Sequence, residues 1–361
     1  MNRLVIIGNG FDLAHGLKTS YANFLEWYKE DFINHITGKW ISKYNDELCY
    51  IDFTNSSSTS VIKYSLEDFD NLYLNFQHVN SHSIKSFKKS SFLTEIENNY
   101  KTKGWIDIEE DYYRLLKEYI FKSNLHLSMS PNDKTVDILN RQLNFLKDKL
   151  IEYLLIQSHN ANISVLDAIM TKIRSVILRD KDIEILSQYK FIEERIYPNQ
   201  IKILNFNYTQ TAELYCKGNN VDCKYIHGNL TNQKSIIFGY GDELDEDYKK
   251  IARCNVNEYL RNFKSIKYIE SSVYRELLSF IEKDYFQILI MGHSCGNSDR
   301  TLLNTLFNHP KCVSIKPYYY INEKGEDNYS DLLINMSRNF NDMALMRDRV
   351  VNKEYCETLL S

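Results

Sequence analysis

Short, unbroken apolar runs alternate in this chain with segments of helical periodicity, and the two textures divide it. RLVII at 3–7 is apolar at all but its first position, which suits a strand buried on both faces of a parallel sheet. IKILNFN (201–207), CKYIHGN (223–229), SIIFGYG (235–241), FQILIMGHS (286–294) and CVSIKPYYYI (312–321) read in the same way. TQTAELYC is expected to begin a helix after 207, and helical segments are expected at 246–263, 270–282 and 299–307. Strands alternating with helices predict a parallel sheet with crossover connections.

Residues 30 to 199 have another texture, with Gly38 and Gly104 as their only glycines. WIDIEEDYYRLLKEYIFK (105–122) carries apolar and aromatic residues close to helical spacing, and TVDILNRQLNFLKDKLIEYLLIQ (135–157) extends that pattern. Helices are expected to continue through 163–196, and TNSSSTS at 54–60 reads as a loop. Glu109 and Glu110 read as a solvated helix face, and 11–28 as a helix broken near Gly16. The fold class is therefore α/β: a Rossmann-like, mostly parallel sheet in one domain. Its core is formed by 1–29 and 200–361, with 30–199 as a helical insertion or subdomain.

Composition acts by exclusion. A 43% hydrophobic and 25% charged content is that of a globular protein, and the net charge of −4 argues against an electrostatic nucleic-acid binder. No apolar stretch approaches the ~20 residues of a spanning helix, so no membrane partner is expected. The first residues form a strand with no basic-then-apolar leader, so a cytoplasmic location is expected. The seven cysteines are scattered and form no C-x-x-C pair. They are expected to be reduced, mostly buried thiols, with no metal cofactor.

Eight of the twelve glycines, Gly8, Gly10, Gly16, Gly228, Gly239, Gly241, Gly292 and Gly296, lie at or just beyond predicted strand ends. In open parallel sheets, ligands bind outside the carboxyl ends of the strands. Strand-ending turns are the plain alternative. A G-x-G-x-x-G fingerprint would need glycine where Leu13 stands, and no G-x-x-x-x-G-K-[ST] occurs. Polar residues join the glycines there: Asn205 and Asn207, then His227, then His293, Ser294 and Asp299.

GNGFDLAHGLKTSY, WIDIEEDY, NFNYT, YIHGN and GHSCGNSD together resemble the AbiH-type phage abortive-infection proteins, which look like a divergent branch of the sirtuin-like NAD-binding fold. The sirtuin pattern is a Gly-Ala-Gly-x-Ser turn with a later glycine, a Thr-Asn-x-Asp strand end, a His-Gly and a Gly-x-Ser. It maps onto Gly8-Asn9-Gly10-Phe11-Asp12 with Gly16, onto Asn207, onto His227-Gly228 and onto Gly292-His293-Ser294. Asp12 replaces the serine, and Thr209 stands where the aspartate would be. The cysteine-pair zinc module of the deacylases is absent from the sequence, which argues against deacylation.

The resemblance implies an anti-phage effector that hydrolyses NAD at the nicotinamide–ribose bond, with NAD as substrate and no metal. On it, Asn207 orients the ribose or the attacking water and His227 accepts a proton. Gly8, Asn9, Gly10, Phe11, Asp12 and Gly16 hold the diphosphate through backbone N–H groups. Gly292, Ser294 and Asp299 serve the adenosine end. Partners implied are NAD or a related nucleotide, a phage-derived trigger or partner protein, and a second copy of the chain.

Two rival functions are open on the same residues. One is a non-catalytic sensor of NAD or ADP-ribose acting through a partner. The other is a serine hydrolase, because GHSCG at 292–296 fits the G-x-S-x-G elbow. After Ser294, however, the one histidine is His309, with Asp299 between them, so the two would flank a single helix instead of ending two later strands.

Overall fold

The structure is a computed structural model that describes residues 1–36, 42–53, 69, 84–123, 133–183, 194–216, 218 and 220–361. Two compact units divide the chain. The first comprises Met1–Thr19, Leu154–Cys254 and Asn262–Ser361, and the second Ser20–Tyr153 and Asn255–Arg261.

The first unit is built on a five-stranded sheet. Its strands are β1 (Asn2–Ile7), β2 (Ile201–Asn205), β3 (Val221–Tyr225), β4 (Phe286–Met291) and β5 (Cys312–Tyr318). They run in the order β5-β4-β1-β2-β3, and every adjacent pair is parallel. The chain builds outward from β1 through β2 to β3, then returns to the other side of β1 for β4 and β5. Strand order thus reverses beside β1, the place where such sheets open a crevice at their carboxyl ends.

Side chains alternate across the sheet, so neighbours in β1 serve different layers. Leu4 and Ile6 join Leu204, Ile288, Ile290 and Ile315 in one core. The helices α3 (Val273–Lys283), α4 (Arg300–Phe307) and α5 (Tyr329–Ser337) cover it with Leu277, Ile281, Leu302, Leu306 and Met336. Val5 and Ile7 join Ile203, Leu289 and Met291 on the other side. There Phe11 of α1 (Asn9–Ala14) and Ile169 and Ile173 of α2 (Asp167–Arg174) close the layer. Burying each such aliphatic side chain contributes roughly 1.5–3 kcal/mol, which is why β1 reads as a continuous apolar run.

The helical insertion is expected at 30–199, and the compact units divide at 19/20 and 153/154. Texture cannot separate the short helix α2 from the helical block. Its residues nonetheless pack on the sheet, and the buried Arg3 guanidinium donates to the carbonyls of Ile173 (2.9 Å) and Ser175 (2.6 Å).

SIIFGYG, expected as a sixth strand, is not one. Gln233–Ser235 forms a short 3-10 turn, and Tyr240 makes only an isolated bridge to Phe263. Its apolar residues, Ile236, Phe238 and Tyr240, are buried without a ladder. TQTAELYC likewise gives a 3-10 helix, Thr211–Tyr215, in place of an α-helix.

The second unit is not wholly helical. Helices Tyr21–Ile36, Ser91–Lys103 and Ile108–Ser123 accompany an antiparallel sheet of Lys43–Asn45, Cys49–Phe53 and Ile84–Lys89. Ser90 caps the second of these helices through Leu93 N–H (3.1 Å), and Asp107 accepts from Glu110 N–H (2.9 Å) at the start of the third. Glu109, expected on a solvated face, is buried. The TNSSSTS loop lies outside the described residues.

Candidate active site at the carboxyl ends of the sheet

The turns that follow β1 and β4 meet backbone to backbone. Gly8 N–H donates to Met291 O (3.3 Å), Gly10 N–H to Gly292 O (2.8 Å), and Phe11 N–H to Gly8 O (2.9 Å). Gly292 has φ +75, and a Cβ built on it would overlap the Phe11 nitrogen and the Gly10 carbonyl carbon. A Cβ on Gly8 would stand 2.6 Å from His293 Cα, and one on Gly10 2.9 Å from Gly292 Cα. Close approach of two turns therefore accounts for these three glycines. The N–H groups of Gly8, Gly10 and Phe11 are satisfied within the protein. Gly16 is different. At φ +80 with open space around it, it ends α1 and lets Leu17 N–H return to Asp12 O (3.1 Å).

The NFNYT strand end is shaped by its own side chains. Asn205 Oδ1 accepts from Asn207 N–H (2.9 Å), and Asn205 Nδ2 donates to Thr209 O (3.3 Å). That local turn aims Asn207 Nδ2 at Gly8 O (3.0 Å), tying the end of β2 to the glycine junction. Beyond it, Thr209 Oγ1 donates to Asp12 Oδ2 (2.5 Å). Asp12 and Thr209 are thus bonded to each other. Asp12 is buried, and its Oδ1 has no hydrogen-bond partner. Burial pushes its carboxyl up to about 6, against the opposing pull of Thr209, Thr211 and Asn207.

Beside this lies a cluster of charge. Asp299, in the 3-10 turn Asn297–Asp299, receives three groups. Lys264 Nζ is 2.9 Å and His227 Nε2 3.3 Å from Oδ1, and His293 Nε2 is 3.5 Å from Oδ2. Phe206, just past β2, stands between the histidines, with its ring edge-on to His227 (5.2 Å) and His293 (4.2 Å). Tyr268 stacks on His227, with its hydroxyl 3.2 Å from Nε2. All these side chains are buried. Burial alone would raise the Asp299 carboxyl, but Lys264 and then the histidines hold it well below the usual carboxylate range. Burial, then Lys264, lowers the His227 imidazole and outweighs Asp299, so the ring is neutral near pH 7.

The geometry sorts the residues named from the sequence. His227 and Asp299 come together at 3.3 Å. His293 joins the same carboxylate. Its Nδ1 accepts from Cys295 N–H (2.9 Å), a contact made by the positive φ of Cys295 (+55). Asn207 joins Gly8 and Asp12 instead. Asn9 Oδ1 accepts from Thr19 Oγ1 (2.6 Å). Ser294 is exposed, and no histidine bonds its hydroxyl among the described residues; His309 lies against Glu282. Lys264 and Tyr268 were missed because they sit in KSIKYIE, which carries no motif and reads as an ordinary amphipathic segment.

The family model for AbiH, described as bacteriophage abortive infection AbiH, matches residues 4–320 and so spans β1 through β5 together with every group of the charge cluster. The chain belongs to the AbiH family. Membership gives this AbiH protein a role in abortive infection, the defence of a bacterial population against phage. No curated protein and no solved structure matches it. Among the described residues, no group of His, Cys, Asp and Glu converges as a metal site, and no helix is long and apolar enough to cross a membrane.

Proposed function

We propose that this AbiH protein acts in abortive infection by hydrolysing NAD at the nicotinamide–ribose bond, on a divergent sirtuin-like core. The observation that carries the reading is the His227–Asp299 pair, buried at the carboxyl ends of a parallel sheet whose strand β2 is followed by Asn207. Water replaces nicotinamide at the ribose carbon, the products are ADP-ribose and nicotinamide, and one proton is released. Departure of neutral nicotinamide needs no acid, whereas the water, attacking an oxocarbenium-like centre, must lose its proton. A neutral imidazole suits that proton. Asn207, held by Gly8 O through Nδ2, keeps its amide oxygen to orient the water or a ribose hydroxyl. In the infected host, NAD depletion halts the cell and the phage with it, so basal turnover is low until a trigger acts.

The test is nicotinamide release from NAD by the purified protein, read by chromatography beside NAD binding. His227→Gln should lower turnover by roughly 10²–10⁴-fold, the usual contribution of a general acid–base group. Ser294→Ala should change KM and spare kcat, whereas a serine hydrolase would lose all turnover. Full NAD cleavage by His227→Gln, or tight NAD binding with no cleavage in infected cells, overturns the reading.

A further inference from the structure

Of the groups in the charge cluster, Lys264 and Asp299 have no assigned part in the chemistry. We infer that Lys264 and Asp299 are positioning residues for His227, fixing its proton on Nε2 so that Nδ1 is the atom that accepts a proton. The inference rests on the reading of His227 as a base.

The tautomer follows from the contacts. His227 Nε2 lies 3.3 Å from Asp299 Oδ1 and 3.2 Å from the Tyr268 hydroxyl. The Tyr268 hydroxyl is the hydrogen-bond partner of Nε2, with Asp299 Oδ1 beside it; a bare Nε2 would set its lone pair against that carboxylate oxygen, so Nε2 carries the proton. Nδ1 has no hydrogen-bond partner among the described residues and is left as an acceptor. His293 is fixed by the same logic. Its Nδ1 takes Cys295 N–H, so its Nε2–H must point to Asp299 Oδ2. Both carboxylate oxygens are thereby committed, and the carboxylate cannot turn to the other nitrogen of His227.

Lys264 supplies what the pair alone lacks. A buried carboxylate beside two imidazoles would draw a proton onto one of them, and a protonated His227 is no base. Lys264 Nζ, at 2.9 Å from the same Oδ1, already balances that charge. The charged and titratable groups facing His227 come from each element around it: Lys264 and Tyr268 from 264–270, Asp299 from 297–299 and His293 from the turn after β4. One carboxylate facing one ammonium group leaves no charge that calls for a proton on the ring.

Two-bond proton–nitrogen correlation spectra of the ¹⁵N-labelled protein read the tautomer directly, and their pH dependence reads protonation. The wild type should show His227 as the Nε2–H tautomer, neutral where free histidine is half protonated. In Lys264→Met, His227 should titrate at higher pH, and the acid limb of NAD hydrolysis should move up with it. Lys264→Arg should restore both. An Nδ1–H tautomer in the wild type overturns the inference without any variant, as does a His227 titration unmoved in folded Lys264→Met. A wild type with the Nε2–H tautomer but no NAD cleavage would defeat the enzymatic reading and leave the positioning standing. Cleavage with the other tautomer would do the reverse.

Discussion

The glycine junction and the charge cluster occupy the same edge of one sheet and are built on opposite principles. At the junction, three glycines remove side chains so that two turns can touch, and the backbone donors there are used up in the contact. In the cluster, long and ionisable side chains are buried, and each is satisfied by another. The first is a packing device whose residues are interchangeable in chemistry but not in size. The second tolerates shape changes better than charge changes. Turn packing is therefore enough to account for the glycines at this strand end.

The largest effect should come from breaking the junction. Gly292→Ala sets a Cβ into the backbone of Gly10 and Phe11 at a positive φ, where neither neighbour is a side chain that can swing away. A loss of about 4 kcal/mol or more is expected, enough to leave little folded protein in urea unfolding experiments. Gly16→Ala shares the positive φ but meets open space, so it should cost only about 1–2 kcal/mol. Equal losses at the two positions would show that backbone conformation, not turn contact, governs the junction.

That contrast also explains what the sequence let one read. β1, β2, β4 and β5 were legible because strands buried on both faces are rich in apolar residues, and glycines mark the ends of β1 and β4; β3, VDCKY, is only partly buried. SIIFGYG misled for the same reason: Ile236, Phe238 and Tyr240 are buried, but outside the sheet. His227 and Asp299 were found separately, since each follows its own strand or turn. That they form a pair depends on how loops far apart in sequence converge, and no spacing encodes it. Lys264 was illegible because a lysine in KSIK reads as a solvated residue, and only its burial against Asp299 gives it a role.

Asp12 sits on the seam between the two regions and carries the next prediction. Its native carboxyl, at about 6, lies above the ordinary 3.8. Below pH 4 native and unfolded chains both hold the proton and burial is not penalised. As pH rises from 4 to 6 the unfolded chain ionises first, so the native state binds more protons and loses stability, by roughly 3 kcal/mol in full. Above pH 6 the penalty is constant. Asp12→Asn should remove this slope, so that the variant gains on the wild type between pH 4 and pH 7 in parallel urea titrations. Parallel curves across that window would mean that Asp12 is ionised throughout, with Oδ1 reached by a donor.

The smallest effect, and the most specific, concerns the bond from Thr209 to Asp12. Where the sirtuin-like pattern has a hydroxyl at position 12 and a carboxyl at 209, this chain has the reverse, and the two side chains meet at 2.5 Å. If the pair matters as a pair, exchanging its members should restore it. Asp12→Ser alone leaves two hydroxyls where a carboxylate accepted, and Thr209→Asp alone sets two buried carboxyls face to face, forcing one to hold a proton. The double variant has one donor and one acceptor again. Its destabilisation should fall below the sum of the single losses by about 1–2 kcal/mol in a double-mutant cycle at pH 7. Additivity within about 0.5 kcal/mol would mean that each position is set by its own surroundings. The departures would then be two independent changes, and the correspondence of positions 12 and 209 with that pattern would lose its physical basis.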